Sequence, residues 1–174
     1  MKVFTRNFRY WLPVLFWLGV IAYESFRLSS NVTGNWLWHL FRILNIHISR
    51  PAFSELHHFL RKAGHVTGYG IFCLLLFRAW FHSVQPFDVR STQTETASAQ
   101  QLRGVHVRCA ALAIAMTFMT AVLDEWHQAF DITRTSSPWD VTLDVTGGVT
   151  FLAFALFVLR LWRDMPRQLD PASV

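Results

Sequence analysis

The sequence predicts an all-α integral membrane bundle of four transmembrane helices, with an interfacial segment between the first two. Three observations carry this expectation. The 174 residues are 52% apolar and 16% aromatic with a positive mean hydropathy, which suits lipid better than water. Uncharged runs cover residues 10–23, 109–123 and 145–159, longer than water-soluble domains usually place beside charges. The net charge of +5 comes from Lys and Arg scattered beside these runs, as in membrane flanks, and not from one basic face of the kind that binds nucleic acid. The length suits one membrane domain, 1–174, with spans at about 10–26, 60–81, 105–128 and 139–162.

The first span follows Lys2, Arg6 and Arg9 and resembles a signal peptide's basic and apolar regions. Bulky residues surround Ala22, so no small-residue cleavage site follows, and an uncleaved signal-anchor helix is expected. Its uncharged part reaches only about 21 Å at ~1.5 Å per residue, so Arg9 must snorkel and Glu24 must lie near the far edge or face protein. Residues 24–50 have a loop composition, with Ser29, Ser30, Asn31, Gly34 and Asn45, interrupted by Trp36, Trp38 and aliphatic residues. A segment lying in the interface and a short helix packed on the bundle both fit it.

Pro51 can occupy the first turn of a helix, and no further proline occurs through residue 81. Positions 58, 62, 65, 69, 72 and 76 step by four and three, which places His58, Lys62, His65, Tyr69, Phe72 and Leu76 on one stripe, polar at one end and apolar at the other. Residues 82–104 are rich in Ser, Thr and Gln without apolar period and predict a flexible cytoplasmic linker. In the third span Asp124 and Gln128 stack above Ala121 and Thr117. Ser137-Pro138-Trp139-Asp140 is a helix start, with a serine cap, proline at the first position and an acid three residues after the cap. Beyond it Asp140, Asp144, Gly147 or Gly148, and Phe151 share a stripe, and the paired glycines permit close helix approach. The tail from Arg163, with Pro166 and Pro171, is expected to fray.

Four spans place both termini on one side. Ten of the 16 Lys and Arg residues then fall with the termini and the linker, which assigns that side to the cytoplasm. Helices 2, 3 and 4 reach the ~20 residues of a span only if Lys62, Asp124 or Asp144 is included, so these three are expected to meet at one level near the outer edge of the hydrocarbon. A charge facing lipid is costly, which favours mutual pairing inside the bundle. The resulting candidate pocket holds Lys62, His65, Tyr69, Asp124, Glu125, Gln128, Arg134, Asp140 and Asp144.

The pattern Lys62-x2-His65-x3-Tyr69, then Asp124-Glu125-x2-Gln128-x-Phe130-x3-Arg134-x5-Asp140-x3-Asp144-x2-Gly147, resembles the signature of the VanZ-like family. That family consists of small bacterial multi-helix membrane proteins, named for a protein linked to teicoplanin resistance. The resemblance implies an inner-membrane protein of the bacterial envelope and an influence on envelope properties or glycopeptide susceptibility, but it carries no reaction. Two positions depart from the family's habit. Ile132-Thr133 stands where Pro-Gly often precedes the arginine, and Asp144 stands where asparagine is frequent, which adds an acid to the pocket.

Three chemical readings fit the pocket. In the first it binds the head group of a membrane lipid or a lipid-linked glycan, with Lys62 and Arg134 on phosphate and Asp124, Gln128 and Tyr69 on hydroxyls. In the second, a membrane enzyme uses Asp124 or Glu125 as base with His65 as partner, although no nucleophile motif is present. The third is a structural polar network that fixes helix register. His57, His58, His65, Asp124, Glu125 and His127 could supply metal ligands, yet HExxH and His-x3-His spacings are absent, so no metal or other cofactor is expected. Cys73 and Cys109 both fall in apolar runs and read as small core residues.

Overall fold

The computed structural model describes residues 2–27, 30–84, 95–130 and 137–164, with side chains over 8–26, 32–84, 102–130 and 137–162. These residues form five helices and no strand: α1 Lys2–Arg27, α2 Ser30–Ile43, α3 Arg50–Val84, α4 Glu95–Gln128 and α5 Pro138–Asp164. Helix α3 is the hub, packed on α1, α4 and α5, whereas among the described residues α2 packs against α3 alone. The buried residues of α3 are Tyr69, Gly70, Phe72, Cys73, Leu76 and Ala79. They continue at helical spacing the stripe that begins with Lys62 and His65.

Specific contacts set the directions of the helices. Trp11 Nε1 donates to Ser83 Oγ at 3.2 Å and Trp17 Nε1 to the Gly68 carbonyl at 2.9 Å, so α1 runs antiparallel to α3. Trp80 Nε1 lies 3.2 Å from Met116 Sδ while Tyr69 reaches Asp124, so α4 is antiparallel to α3 as well. Helix α5 then returns parallel to α3. The two come closest at Gly147, where an added Cβ would sit 2.5 Å from the Val66 carbonyl oxygen, and at Gly70, where it would sit 2.6 Å from the Phe151 ring. Backbone meets backbone at the first of these contacts, as small residues at helix interfaces allow.

Two of the helices, over Leu102–Gln128 and Pro138–Trp162, are long and apolar enough to cross a membrane, and only 22% of each such window is buried. A soluble core helix of that composition would be mostly buried. Here Phe118, Met119 and Leu123 of α4 and Phe154, Phe157 and Leu161 of α5 point outward, as do Leu12, Leu15 and Phe16 of α1. These apolar faces are consistent with a membrane protein.

Two segments are more helical than their composition implies. Residues 30–43 form a helix that lays one face on α3. It stops at Asn45, whose φ is 54°, while Ile46 N–H donates to the Phe41 carbonyl at 2.9 Å and Asn45 N–H to that of Arg42 at 3.2 Å. This pattern of bonds is a Schellman cap, with asparagine in the left-handed position usually given to glycine. Helix α4 begins at Glu95, ten residues before the apolar period sets in at Val105. Helix formers such as Ala97, Ala99, Gln100 and Gln101 extend it without any need for an apolar face. Residues 85–94 of the expected linker, residues 131–136 and the expected tail from residue 165 lie outside the described residues.

The glycine contacts make a paired prediction. Gly147→Ala should destabilise the bundle by about 1–3 kcal/mol, since neither backbone can yield cheaply. Gly104→Ala, with nothing within 4 Å of its added Cβ, should be neutral or stabilising by up to about 1 kcal/mol. Unfolding of both variants in detergent checks this.

Candidate functional site

The polar residues converge at one end of the bundle, where α3 and α5 begin and α4 finishes. Helix α3 presents Lys62, His65 and Tyr69 at steps of three and four, and each meets a different carboxylate. Lys62 Nζ lies 3.4 Å from Asp140 Oδ1, and His65 Nδ1 lies 3.6 Å from Asp144 Oδ1. Tyr69 OH donates to Asp124 Oδ2 at 3.0 Å. The His65 and Tyr69 rings stack along the helix, 6.3 Å apart and 20° from parallel. The pairs form a ladder, running from a half-exposed rung at Lys62 to a deeper one at Tyr69.

This arrangement corrects the expectation that Lys62, Asp124 and Asp144 meet at one level. Lys62 and Tyr69 are seven residues apart, about 10 Å along the helix axis, so their partners cannot coincide. The parallel course of α3 and α5 aligns Asp140 with Lys62 and Asp144 with His65, while Asp124 comes in from the antiparallel α4. The cap of α5 is corrected too. Ser137 Oγ accepts from Trp139 N–H at 3.2 Å, as a serine cap should. The Ser137 N–H, however, donates at 3.0 Å to Glu125 Oε2 of α4. A carboxylate from a neighbouring helix thus takes the part expected of Asp140, which turns to Lys62 instead.

Eight of the nine predicted residues are therefore assembled: Lys62, His65, Tyr69, Asp124, Glu125, Gln128, Asp140 and Asp144. Arg134 lies outside the described residues. Asp144 is 1% exposed and Gln128 3%. Among the described residues neither Asp144 oxygen nor Gln128 Nε2 has a hydrogen-bond partner, the 3.6 Å approach of His65 being an ion-pair distance and too long for a hydrogen bond. The free space among these side chains is about 10 Å³, room for roughly one water molecule. Among the described residues no group of three His, Cys, Asp or Glu side chains is placed to hold a metal ion.

A larger chamber of about 290 Å³ adjoins the ladder between α1, α2 and α3. Arg61 and His65 line both spaces. The rest of the chamber wall is Glu24 of α1, Thr33 and Leu37 of α2, and His57, Leu60 and Gly64 of α3. Thr33 Oγ1 and His57 Nε2 share a hydrogen bond of 2.9 Å, and the His57 ring stacks on Phe53. Burial holds the His57 imidazole below its ordinary pKa, with the nearby Arg61 and His58 adding to the effect. Sequence reasoning left this chamber out. His57, Arg61, Gly64 and His65 do form a second stripe beside the first, at steps of four, three and one, but its partners on α1 and α2 carried no signal.

An all-helical chain with apolar outer faces and a buried acid–base ladder at one end is consistent with a small helical membrane protein. The chain belongs to the VanZ/LLP1 family, whose model matches residues 10–160. The match takes in α1 and α2 as well as the ladder, so the chamber wall lies within it. No curated protein and no solved structure matches the chain.

Two outcomes follow from the geometry. Tyr69→Phe should cost about 1.5–3 kcal/mol, as for a hydrogen bond to a charged group, whereas Lys62→Met at the half-exposed rung should cost about 0–1 kcal/mol. A double-mutant cycle with Asp124→Asn, read from unfolding in detergent, separates the Tyr69–Asp124 coupling from bulk effects. The second outcome concerns pH. A histidine whose folded pKa is depressed contributes stability that is complete above its unfolded value, about 6.5, and is lost as pH falls through that value toward the folded one. Melting temperature should therefore fall more steeply below about pH 6.5 in the native chain than in His57→Gln.

Proposed function

We propose that the chain is a four-span protein of the bacterial inner membrane, with both termini cytoplasmic, whose outer end binds the phosphate-bearing head group of a membrane lipid or lipid-linked glycan. One observation carries this reading: the 290 Å³ chamber, walled by Glu24, Thr33, His57 and Arg61 and bounded by Leu37 and Leu60, opens at the end of a bundle with apolar outer faces. Pockets for small ligands combine such an apolar wall with a few placed polar groups. Arg61 supplies a planar cation suited to phosphate, and Thr33, His57 and Glu24 offer partners for glycerol or sugar hydroxyls. The charge count along the chain supports the outer placement. Family membership supports an effect on envelope properties, with glycopeptide susceptibility as the phenotype to examine.

The ladder takes a different part in this reading. With room for about one water, it serves as the polar network that fixes the register of α3, α4 and α5, and it presents His65 to the chamber. The closed space favours this over an enzyme with Asp124 or Glu125 as base, since a substrate needs volume beside the base. Arg134, which lies outside the described residues, stays in this proposal as a further cation for the same phosphate.

The test is mass spectrometry of lipids retained by protein purified in mild detergent. Gly64 lines the chamber and has nothing within 4 Å of an added Cβ, so Gly64→Leu should fill the chamber without disturbing the fold. Native protein should retain a defined phosphate-bearing lipid, and both Gly64→Leu and Arg61→Gln should lose it, with Gly64→Leu melting as the native chain does. Equal retention in all three proteins would overturn the assignment. The mass of the retained species tells phospholipid from lipid-linked glycan.

A further inference from the structure

We infer that the outer face of α2 and the turn after it form a second membrane contact, a docking surface for the anionic head groups of the surrounding bilayer, distinct from the chamber. Helix α2 divides into three sectors. Thr33, Leu37 and Phe41, at i, i+4 and i+8, turn toward α3, and Thr33 is bonded to His57 there. Asn35, His39 and Arg42, at i, i+4 and i+7, form an exposed polar sector. Between them Trp36, Leu40 and Ile43, at the same spacing, are 70%, 47% and 69% exposed, and among the described residues no other helix covers them. The apolar sector continues into exposed Leu44 and Ile46 of the turn.

The charge pattern selects the occupant. No acidic residue occurs from Asn31 to Ser54, while Arg42, His47 and Arg50 edge an open hollow of about 680 Å³ at the turn. The guanidinium of Arg50 lies 4.1 Å over the Trp38 ring, which holds it at the rim. Trp, Leu and Ile flanked by cations without acids match an anionic bilayer, where apolar burial and attraction to head groups act together. The inference rests on the membrane reading above but not on the chamber holding a ligand.

The experiment uses the full chain in lipid nanodiscs with an environment-sensitive dye on Leu40→Cys. Cys73 and Cys109 are buried and do not compete for label. A lipid-borne shallow quencher should quench the dye at position 40. Quenching should be stronger with phosphatidylglycerol present than in phosphatidylcholine alone, and should weaken in high salt. Arg42→Gln should lower the docked-to-undocked ratio about fivefold, the factor expected for one basic residue at an anionic surface, and Arg42→Lys should restore it. A dye on Phe154→Cys of α5, read with a quencher carried deep on the acyl chain, reports insertion separately: if it is not quenched, the membrane reading has failed. If it is quenched while position 40 stays in water in both lipids, the docking surface is refuted and a protein partner becomes the occupant to seek. Quenching at 40 that ignores lipid charge, salt and Arg42 would overturn the anionic specificity.

Discussion

Asp144 is a carboxylate with 1% exposure among apolar helices, and the arrangement around it is the constraint on which the rest of the structure depends. Removing such a group from water is costly unless charge and hydrogen bonding are supplied locally. The supply here is the imidazole of His65, 3.6 Å away. To hold it there, α3 and α5 must run parallel and close, which the missing side chains at Gly147 and Gly70 permit. The parallel course in turn aligns Lys62 with Asp140 one turn away. The neighbouring α4, antiparallel to both, supplies Asp124 to Tyr69 and Glu125 to the cap of α5. One buried acid thus links the register of three helices.

Ion pairs of this sort stabilise little in net terms, because desolvation offsets most of the attraction. Their cost appears when one partner is lost and the other remains buried. In the proposed reading the ladder acts more as a specifier of register than as a source of stability, which suits a bundle whose outer apolar faces offer no directional preference. It also leaves His65 as the side chain shared between the sealed ladder and the open chamber, so that any ligand in the chamber touches the element that sets helix register.

Helix α2 has a different kind of attachment. Among the described residues it rests on α3 alone, through Thr33 and the aromatic contacts of Trp38 and Phe41 with Phe53. The same helix closes the chamber on one face and exposes Trp36, Leu40 and Ile43 on another. Its two roles are therefore coupled: a change in how α2 meets lipid would alter the wall that Thr33 and Leu37 give the chamber.

Much of this was legible in the chain itself. Helical spacing placed Lys62, His65 and Tyr69 on one stripe, Asp124 with Gln128 on another and Asp140 with Asp144 on a third, because side-chain direction along a helix follows from position alone. The Ser137-Pro138 start and the glycine pair marked where α5 begins and where it comes closest. What spacing cannot encode is the axial offset and direction of one helix against another. That offset decided that Lys62 meets Asp140 and not Asp124, that Glu125 and not Asp140 takes the Ser137 N–H, and that the eight described residues of the expected pocket form a nearly closed ladder. The chamber beside it needed three helices at once, including an α2 whose composition reads as loop, and Glu24, Thr33 and Arg61 become neighbours only when tertiary packing brings their helices together.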